Sequence, residues 1–487
     1  MTEPALLTLT QLRAGLDRKD FSSVELTSSC LKLIEKHADL NAFIEICEEQ
    51  ALAQAKHADS LLAKGETSPL LGIPLAIKDA IVTAGIRTTC ASKMLQNFIP
   101  PYDATVIQKL KQEGAVIVAK NNLDEFAMGS SSENSAFGPV KNPWDKKRVP
   151  GGSSSGSAAA VAAGLVPGAL GTDTGGSVRQ PASFCGIVGI KPTYGRVSRY
   201  GVVAYASSLD QVGVFGRRTA DCATLLQTIA GHDFKDSTSI QQPLPDFSAN
   251  LETDIKGLKI GVPKEYFEEG LDPQVCDAVK AAIDKLVSLG AQACEVSLPH
   301  SQYAVAVYYI IASAEASSNL SRYDGVRYGY RASNPSDLQD LYCRSRSEAF
   351  GIEVQRRILM GTFVLSSGYF EAYYLRAQKV RTLIAEDFKR VFENDCDLIA
   401  CPTAPTTAYL LGEKVQNPLQ MYLGDVYTLP ASLAGLPGLS LPCGFDSQRL
   451  PIGLQLIGRP WDEATLFKVA QAYENATAWK THAPNLG

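Results

Sequence analysis

The sequence predicts an α/β fold around a mixed sheet, and three observations carry that expectation. Short β-rich runs recur along the chain at "GIPLAIKDAI" (72–81), "GAVIVAK" (114–120), "LKIGV" (258–262), "DLIAC" (397–401) and "LQLIG" (454–458). Stretches with helical periodicity, such as 273–289 and 462–477, separate them. The composition is ordinary for a globular chain, with 45% hydrophobic and 20% charged residues, which sets aside disordered and fibrous classes.

The chain opens on "MTEPALLTLTQLRAGLDRKD", which lacks a basic segment followed by an apolar one, and no run of about 18 apolar residues occurs anywhere. The expectation is a cytoplasmic protein with no membrane span. Ser22 and Glu25 form an S-x-x-E capping box, and Leu26, Leu31, Leu33 and Ile34 continue a helix from it, within a helical layer over about 1–65. Motif-bearing sequence follows in 72–213, and the polar, proline-containing stretch 231–254 reads as a surface excursion. At ~150 residues per domain the length suggests about three units. No low-complexity linker divides the 487 residues, so one domain over 1–487 is expected.

The net charge of -5, from 46 basic and 51 acidic residues, offers no basic footprint for a phosphate backbone. Any nucleic acid is then held elsewhere. The 11 cysteines include no C-x-x-C pair and read as reduced, mostly buried thiols.

Two Gly-rich, Ser-bearing turns stand close together: "VPGGSSSGSAAAVAAG" (149–164) and "LGTDTGGSVRQPASFCG" (170–186). Turn-forming glycines and a helix-capping serine before Ala158–Ala163 account for either turn alone. A phosphate cradle does not fit, because the lysine and terminal Ser/Thr of G-x-x-x-x-G-K-[ST] are missing. A nucleophilic serine needs a base and preorganised N–H donors for the developing oxyanion. Side-chain-free Gly175 and Gly176 let the amides of Thr174, Gly175, Gly176 and Ser177 converge on one oxygen. None of the five histidines lies in a Gly-rich or strand-end setting. Lys78 does, at the end of an apolar run that can desolvate its ammonium and lower its pKa. Asp79 follows it in the strand and so points to the opposite face.

Lys78, "PGGSSSGSAAAVAAG" and "GTDTGGSVRQPA", in this order, resemble the signature of the amidase signature family. The resemblance implies a central mixed β-sheet covered by helices on both faces, with Ser177 as acyl-forming nucleophile, Ser153 as proton relay and Lys78 as terminal base. It also implies a cis peptide at Gly152–Ser153, and no metal. Members usually read G-G-S-S-G-G, whereas Ser155 holds the fifth position here. A φ > 0 at that position would strain a serine.

Further segments, "LDEFAMGSSSENSAFGPVKNPWD" (123–145), "KPTYGRVSRYGVVAYASSLDQVG" (191–213), "YYIIASAEASSNLSRYDGVRYG" (308–329), "LSSGYFEAYYLRAQKVRTLI" (365–384) and "LPASLAGLPGLSLPCG" (429–444), are similar to one branch of that family. Its members are the glutamine-hydrolysing A subunits of aspartyl/glutamyl-tRNA amidotransferases. That branch implies glutamine as substrate, with Arg357 for its α-carboxylate, Asp425 for its α-ammonium and Tyr308 lining the pocket. It implies no cofactor in this chain, a tRNA-binding B subunit that uses ATP and Mg, and a small C subunit, with ammonia passed to Glu-tRNA(Gln) or Asp-tRNA(Asn). A stand-alone amidase acting on small amides would need Lys78, Ser153 and Ser177 but neither Arg357 nor Asp425. A non-catalytic scaffold of the same fold would need none of them.

Overall fold

The computed structural model describes residues 7–268, 270–479 and 482–486. Eleven strands form one sheet: β1 (Phe43–Ile46), β2 (Pro74–Lys78), β3 (Val116–Asn121), β4 (Gly168–Asp173), β5 (Val188–Lys191), β6 (Gln211–Gly216), β7 (Lys259–Pro263), β8 (Gln292–Val296), β9 (Leu398–Pro402), β10 (Gly438–Phe445) and β11 (Pro451–Gly458). The order across the sheet is β1-β3-β2-β4-β6-β5-β10-β11-β9-β7-β8. The β3-β2-β4 and β8-β7-β9 groups are parallel, and the strands between them pair antiparallel, so the sheet is mixed as expected.

The five β-rich runs of the sequence all lie in this sheet, as β2, β3, β7, β9 and β11. The expected helices are Pro273–Ser288 and Glu463–Asn475. Ser22 caps the helix Ser23–Lys36: its hydroxyl accepts from Glu25 N–H at 3.1 Å, and Glu25 accepts in return from Ser22 N–H at 2.7 Å. Residues 231–254 hold no helix or strand. The cysteines are free, and all but Cys276, Cys294 and Cys343 are buried. Among the described residues no helix is long and apolar enough to cross a membrane.

Because β2 and β4 are parallel neighbours, with Ile77 beside Leu170, their C-terminal ends bring Lys78 and the Thr172–Asp173 pair to the same sheet edge. Catalytic and ligand-binding groups gather at such ends in α/β sheets. The helix Ser155–Ala162 packs across β2 and β4 with every residue buried, which its small side chains permit. A Cβ on Gly156 would meet the Asn122 carbonyl at 2.6 Å, so this close approach requires glycine.

Two further helices complete the site's walls. Ala304–Asn319 and Ile352–Leu365 pack against each other, and a Cβ on Gly361 of the second would overlap the Ser313 carbonyl of the first. Alanine at 361 would raise helix propensity by about 1 kcal/mol. Overpacking against an immobile backbone costs about 1–3 kcal/mol and outweighs that gain. Gly361→Ala is therefore expected to lower the thermal midpoint, and a raised midpoint would show that the helices separate without cost.

Candidate active site

Lys78 closes the all-apolar run Pro74–Ile77 and has no solvent exposure. Its Nζ lies 2.8 Å from Ser153 Oγ, 2.9 Å from Ser154 Oγ and 2.8 Å from Thr172 Oγ1. Burial lowers the Lys78 amine to about 7, against the opposing pull of the Asp124, Asp173 and Asp210 carboxylates. Asp79 does turn away. It pairs with Lys120 at 3.2 Å and accepts from the Thr89 amide and hydroxyl at 2.7 and 2.6 Å.

A neutral amine has two N–H groups and one lone pair. Ser154 Oγ donates to the Thr172 carbonyl at 3.0 Å, so toward Lys78 it acts as acceptor. Ser153 stands on the loop facing the second serine turn, where Ser154 N–H donates to the Ser177 carbonyl at 3.3 Å. The lone pair of Lys78 can thus receive a proton from Ser153. The Gly152–Ser153 peptide bond is cis. Gly152 N–H donates to Gln180 Oε1 at 3.0 Å, and Gln180 Nε2 in turn donates to the Ser130 carbonyl at 3.1 Å. Ser155 begins the helix, and the positive φ of this loop belongs to Gly151, at 83°, so the departure at position 155 brings no left-handed strain.

The turn Thr174–Ser177 hangs from Asp173. Both its carboxylate oxygens receive N–H groups: Oδ1 from Gly176 at 2.8 Å and from Arg179 Nη2 at 3.0 Å, Oδ2 from Val178 at 3.1 Å and from Arg179 Nε at 3.0 Å. Burial pushes the Asp173 carboxyl up, but the Arg179 guanidinium beside it overcomes this and holds it below its ordinary range. Thr174 Oγ1 donates to Asp210 at 2.7 Å. Here one expectation changes. Gly176, at φ 147°, turns its amide onto Asp173, which removes it from the open donors named in the sequence. Among the described residues, the amides of Thr174, Gly175 and Ser177 donate to no protein group, and they remain available to an oxyanion.

Two of the three other expected residues, Tyr308 and Asp425, meet this turn, and the third, Arg357, lies near enough for its charge to act on both. The ring of Tyr308 lies where a Cβ on Gly175 would be, 2.6 Å from its Cζ, and Asp425 Oδ1 would stand 3.3 Å from a Cβ on Gly176. Asp425 Oδ1 is buried without a hydrogen-bond partner, and burial raises this carboxyl to about 7. Arg357 is 2% exposed, with Nε donating to Glu353 Oε1 at 2.8 Å and Nη1 to the Tyr205 hydroxyl. Burial works against its charge, yet Tyr205 and Glu353 hold the guanidinium protonated. Of the histidines, His300 is committed to Asp387 at 3.0 Å, outside this group.

Ser154, Thr172, Asp173, Arg179, Tyr205 and Glu353 were not singled out from sequence. A guanidinium cannot give up its proton near neutral pH, so Lys78→Arg is expected to be as damaging to amide hydrolysis as Lys78→Ala. General-base catalysis contributes about 10²–10⁴-fold, and both variants should lose at least the lower figure. Substantial activity in the arginine variant, measured as ammonia release, would reduce Lys78 to an electrostatic role.

Residues 25–467 match the family profile described as Amidase. The A subunit of the glutamyl-tRNA(Gln) amidotransferase of Chromohalobacter salexigens is 59% identical over 481 residues, 99% of this chain and 98% of that protein. The protein of the same name from Geobacter metallireducens is 58% identical over 476 residues, 98% of each. The crystal structure of the A subunit of glutamyl-tRNA(Gln) amidotransferase from Thermotoga maritima superposes with a TM-score of 0.83 at 42% identity, covering 100% of this chain and 99% of that one. Peptide amidase from Stenotrophomonas maltophilia also reaches 0.83, at 30% identity over 98% of both chains. With its lysine and two serines brought to one sheet edge and a match running over most of its length, the chain belongs to the amidase family.

Proposed function

We propose that this chain is the glutamine-hydrolysing subunit of a tRNA-dependent amidotransferase, acting through Ser177, Ser153 and Lys78. One observation carries the choice of glutamine over a simple amide. Beside the Ser177 turn lies a buried carboxylate oxygen, Asp425 Oδ1, with no hydrogen-bond partner, and the buried guanidinium of Arg357 is near enough to act on that carboxyl. The Ser130 side chain bonds this carboxyl, yet its buried Oδ1 is left unsatisfied, which is costly, and a substrate ammonium would satisfy it. The α-carboxylate of the same substrate suits the guanidinium. The amidase fold also serves a peptide amidase, so fold alone does not select the substrate. High identity to proteins named as A subunits of glutamyl-tRNA(Gln) amidotransferases supports the same choice.

In this reading Ser177 Oγ attacks the side-chain amide carbon while its proton passes to Ser153 Oγ and the Ser153 proton passes to Lys78 Nζ. The tetrahedral oxygen accepts from the Thr174 and Gly175 amides. Collapse breaks the C–N bond, the proton returns through Ser153 to the leaving nitrogen, and ammonia departs. Water then attacks the γ-glutamyl ester on Ser177, with Lys78 again taking the proton through Ser153, and that proton returns through Ser153 to Ser177 Oγ as the ester C–O bond breaks, giving glutamate. Tyr308 walls the acyl group.

Ammonia released into water at neutral pH becomes ammonium, which is no nucleophile, so its use requires transfer within an assembly. The proposed partners are a larger B subunit, which binds tRNA and uses ATP and Mg, and a small C subunit. The chain's own net charge of -5 agrees with tRNA being held by the larger partner. The cytoplasm, where aminoacyl-tRNA is made, is the proposed location.

Glutamate release by the purified chain, by the assembled complex, and by the complex with mischarged tRNA and ATP tests this reading. Activity is expected to be low alone and to rise in that order, with Ser177→Ala inactive throughout and unchanged in thermal midpoint. Full activity of the isolated chain, indifferent to partners, would favour a stand-alone amidase. The pH dependence gives a second expected outcome. Lys78 and Asp425 both titrate at about 7, and each acts deprotonated, one as base and the other as ammonium ligand. Below that pH, log kcat/KM for glutamine should fall with a slope of two protons, and for butanamide, which lacks both α groups, with a slope of one. Equal slopes would remove Asp425 from substrate binding.

A further inference from the structure

Glutamine carries opposite charges on one carbon, so a site that reads both must hold its cation and anion at a fixed separation. Arg357 lies on the helix Ile352–Leu365, while Asp425 ends the turn Leu423–Asp425 that follows the helix Pro418–Tyr422. These elements are joined by one carboxylate. Glu353 Oε1 accepts from Arg357 Nε at 2.8 Å and from the Tyr422 hydroxyl at 2.7 Å, and Oε2 accepts from Arg356. Glu353 is 3% exposed, and Tyr422, three residues before Asp425, stacks on Tyr309 at 3.8 Å between ring centroids. The Arg357 guanidinium sits over Tyr205, Tyr309 and Tyr422 at 5.5, 5.0 and 5.4 Å. With Nε on Glu353 and Nη1 on Tyr205, Nη2 is the nitrogen left without an acceptor among the described residues.

We infer that Glu353 is a positioning residue that aims the Arg357 guanidinium and, through Tyr422, sets its distance from Asp425, so that the site prefers α-amino acid amides to simple amides. This rests on the reading of Arg357 and Asp425 as the contacts for glutamine's α groups. Glu353 does not touch the substrate. Glu353 compensates the buried guanidinium, and a carboxylate so close to the bound α-carboxylate also repels it through space, so a net preference for glutamine requires alignment to outweigh that repulsion. A rigid fork loses less on binding than a free one.

The test compares kcat/KM for glutamine with kcat/KM for butanamide in Glu353→Ala, Glu353→Gln, Tyr422→Phe and Arg357→Ala, each in the full chain assembled with its partners. Glu353→Ala is expected to raise KM for glutamine about tenfold or more and to cost glutamine at least tenfold more than butanamide. Tyr422→Phe, which removes one hydroxyl, should cost glutamine at least threefold more. Glu353→Gln keeps an oxygen acceptor and should fall between wild type and alanine. If Glu353→Gln instead lowers KM for glutamine, or if Glu353→Ala and Tyr422→Phe weaken both amides equally, the positioning role is overturned. Should the alanine variant fail to fold, Tyr422→Phe decides alone. Arg357→Ala separates the two levels. Equal losses on both amides in that variant overturn the reading of Arg357 itself, whereas a glutamine-selective loss there beside unselective Glu353 and Tyr422 variants overturns only the role of Glu353.

Discussion

A lysine amine sealed from water sets the terms for everything around it. Lys78 has no solvent to bond, so its three directions must be met by protein groups, and they are met by hydroxyls rather than carboxylates. Hydroxyls satisfy an amine in either protonation state, whereas a directly bound carboxylate would lock it as ammonium. The nearby acids are kept at one remove. Asp173 is neutralised by Arg179, Asp210 faces Arg199 at 3.7 Å and accepts from the Tyr205 and Ala206 amides and the Thr174 hydroxyl, and Asp124 accepts from backbone amides. Desolvation therefore dominates, and the amine stays near the point where it can exchange a proton at neutral pH.

The same arrangement explains why the serine turns are built from glycine. The Gly152 amide reaches Gln180, a Cβ there would strike Asp124, and Asp124 N–H donates to the Ser153 carbonyl at 3.2 Å. Across the gap, Asp173 gathers amides from the Ser177 turn while its charge is balanced by Arg179. Removing one member of such a buried pair costs about 3–5 kcal/mol, because the other charge is left bare. The turn that presents Ser177 thus draws its rigidity from a pair that does no chemistry.

The sequence made the reacting groups legible and left their surroundings dark, for identifiable reasons. Lys78 stood out because a lysine ends an apolar strand, and the serines because glycines crowd them. Strand β4 did not, since "GALGTD" is glycine-rich and wholly buried, so it shows neither β-branched enrichment nor alternation. Without β4 there is no register between Ile77 and Leu170, and without that register Thr172 and Ser154 cannot be placed around the amine. The glycines at 175 and 176 point to open amides in the Ser177 turn. Which of them remains free depends on where Asp173 points, a tertiary fact. Glu353 and Arg357 are one helical turn apart and visible as a pair, yet Tyr422 and Tyr205 lie 69 and 152 positions from their partners in it.

The residues proposed for chemistry and those proposed for recognition come from different parts of the chain. Lys78 ends β2, and Ser153 and Ser177 stand on loops beside β2 and β4. Tyr308, Arg357 and Asp425 come from helices and turns between 304 and 425, beyond those strands. The two parts meet at Gly175 and Gly176, whose missing side chains let Tyr308 and Asp425 approach the nucleophile's turn. A family can then keep one hydrolytic centre and change its substrate by altering only the later helices. In this chain the later region holds buried charge: a guanidinium clamped by a glutamate, and a carboxylate oxygen left without a hydrogen-bond partner. The clamped guanidinium is already compensated, whereas the Asp425 oxygen stays unsatisfied until a donor reaches it, and burial holds that carboxyl well above its ordinary range.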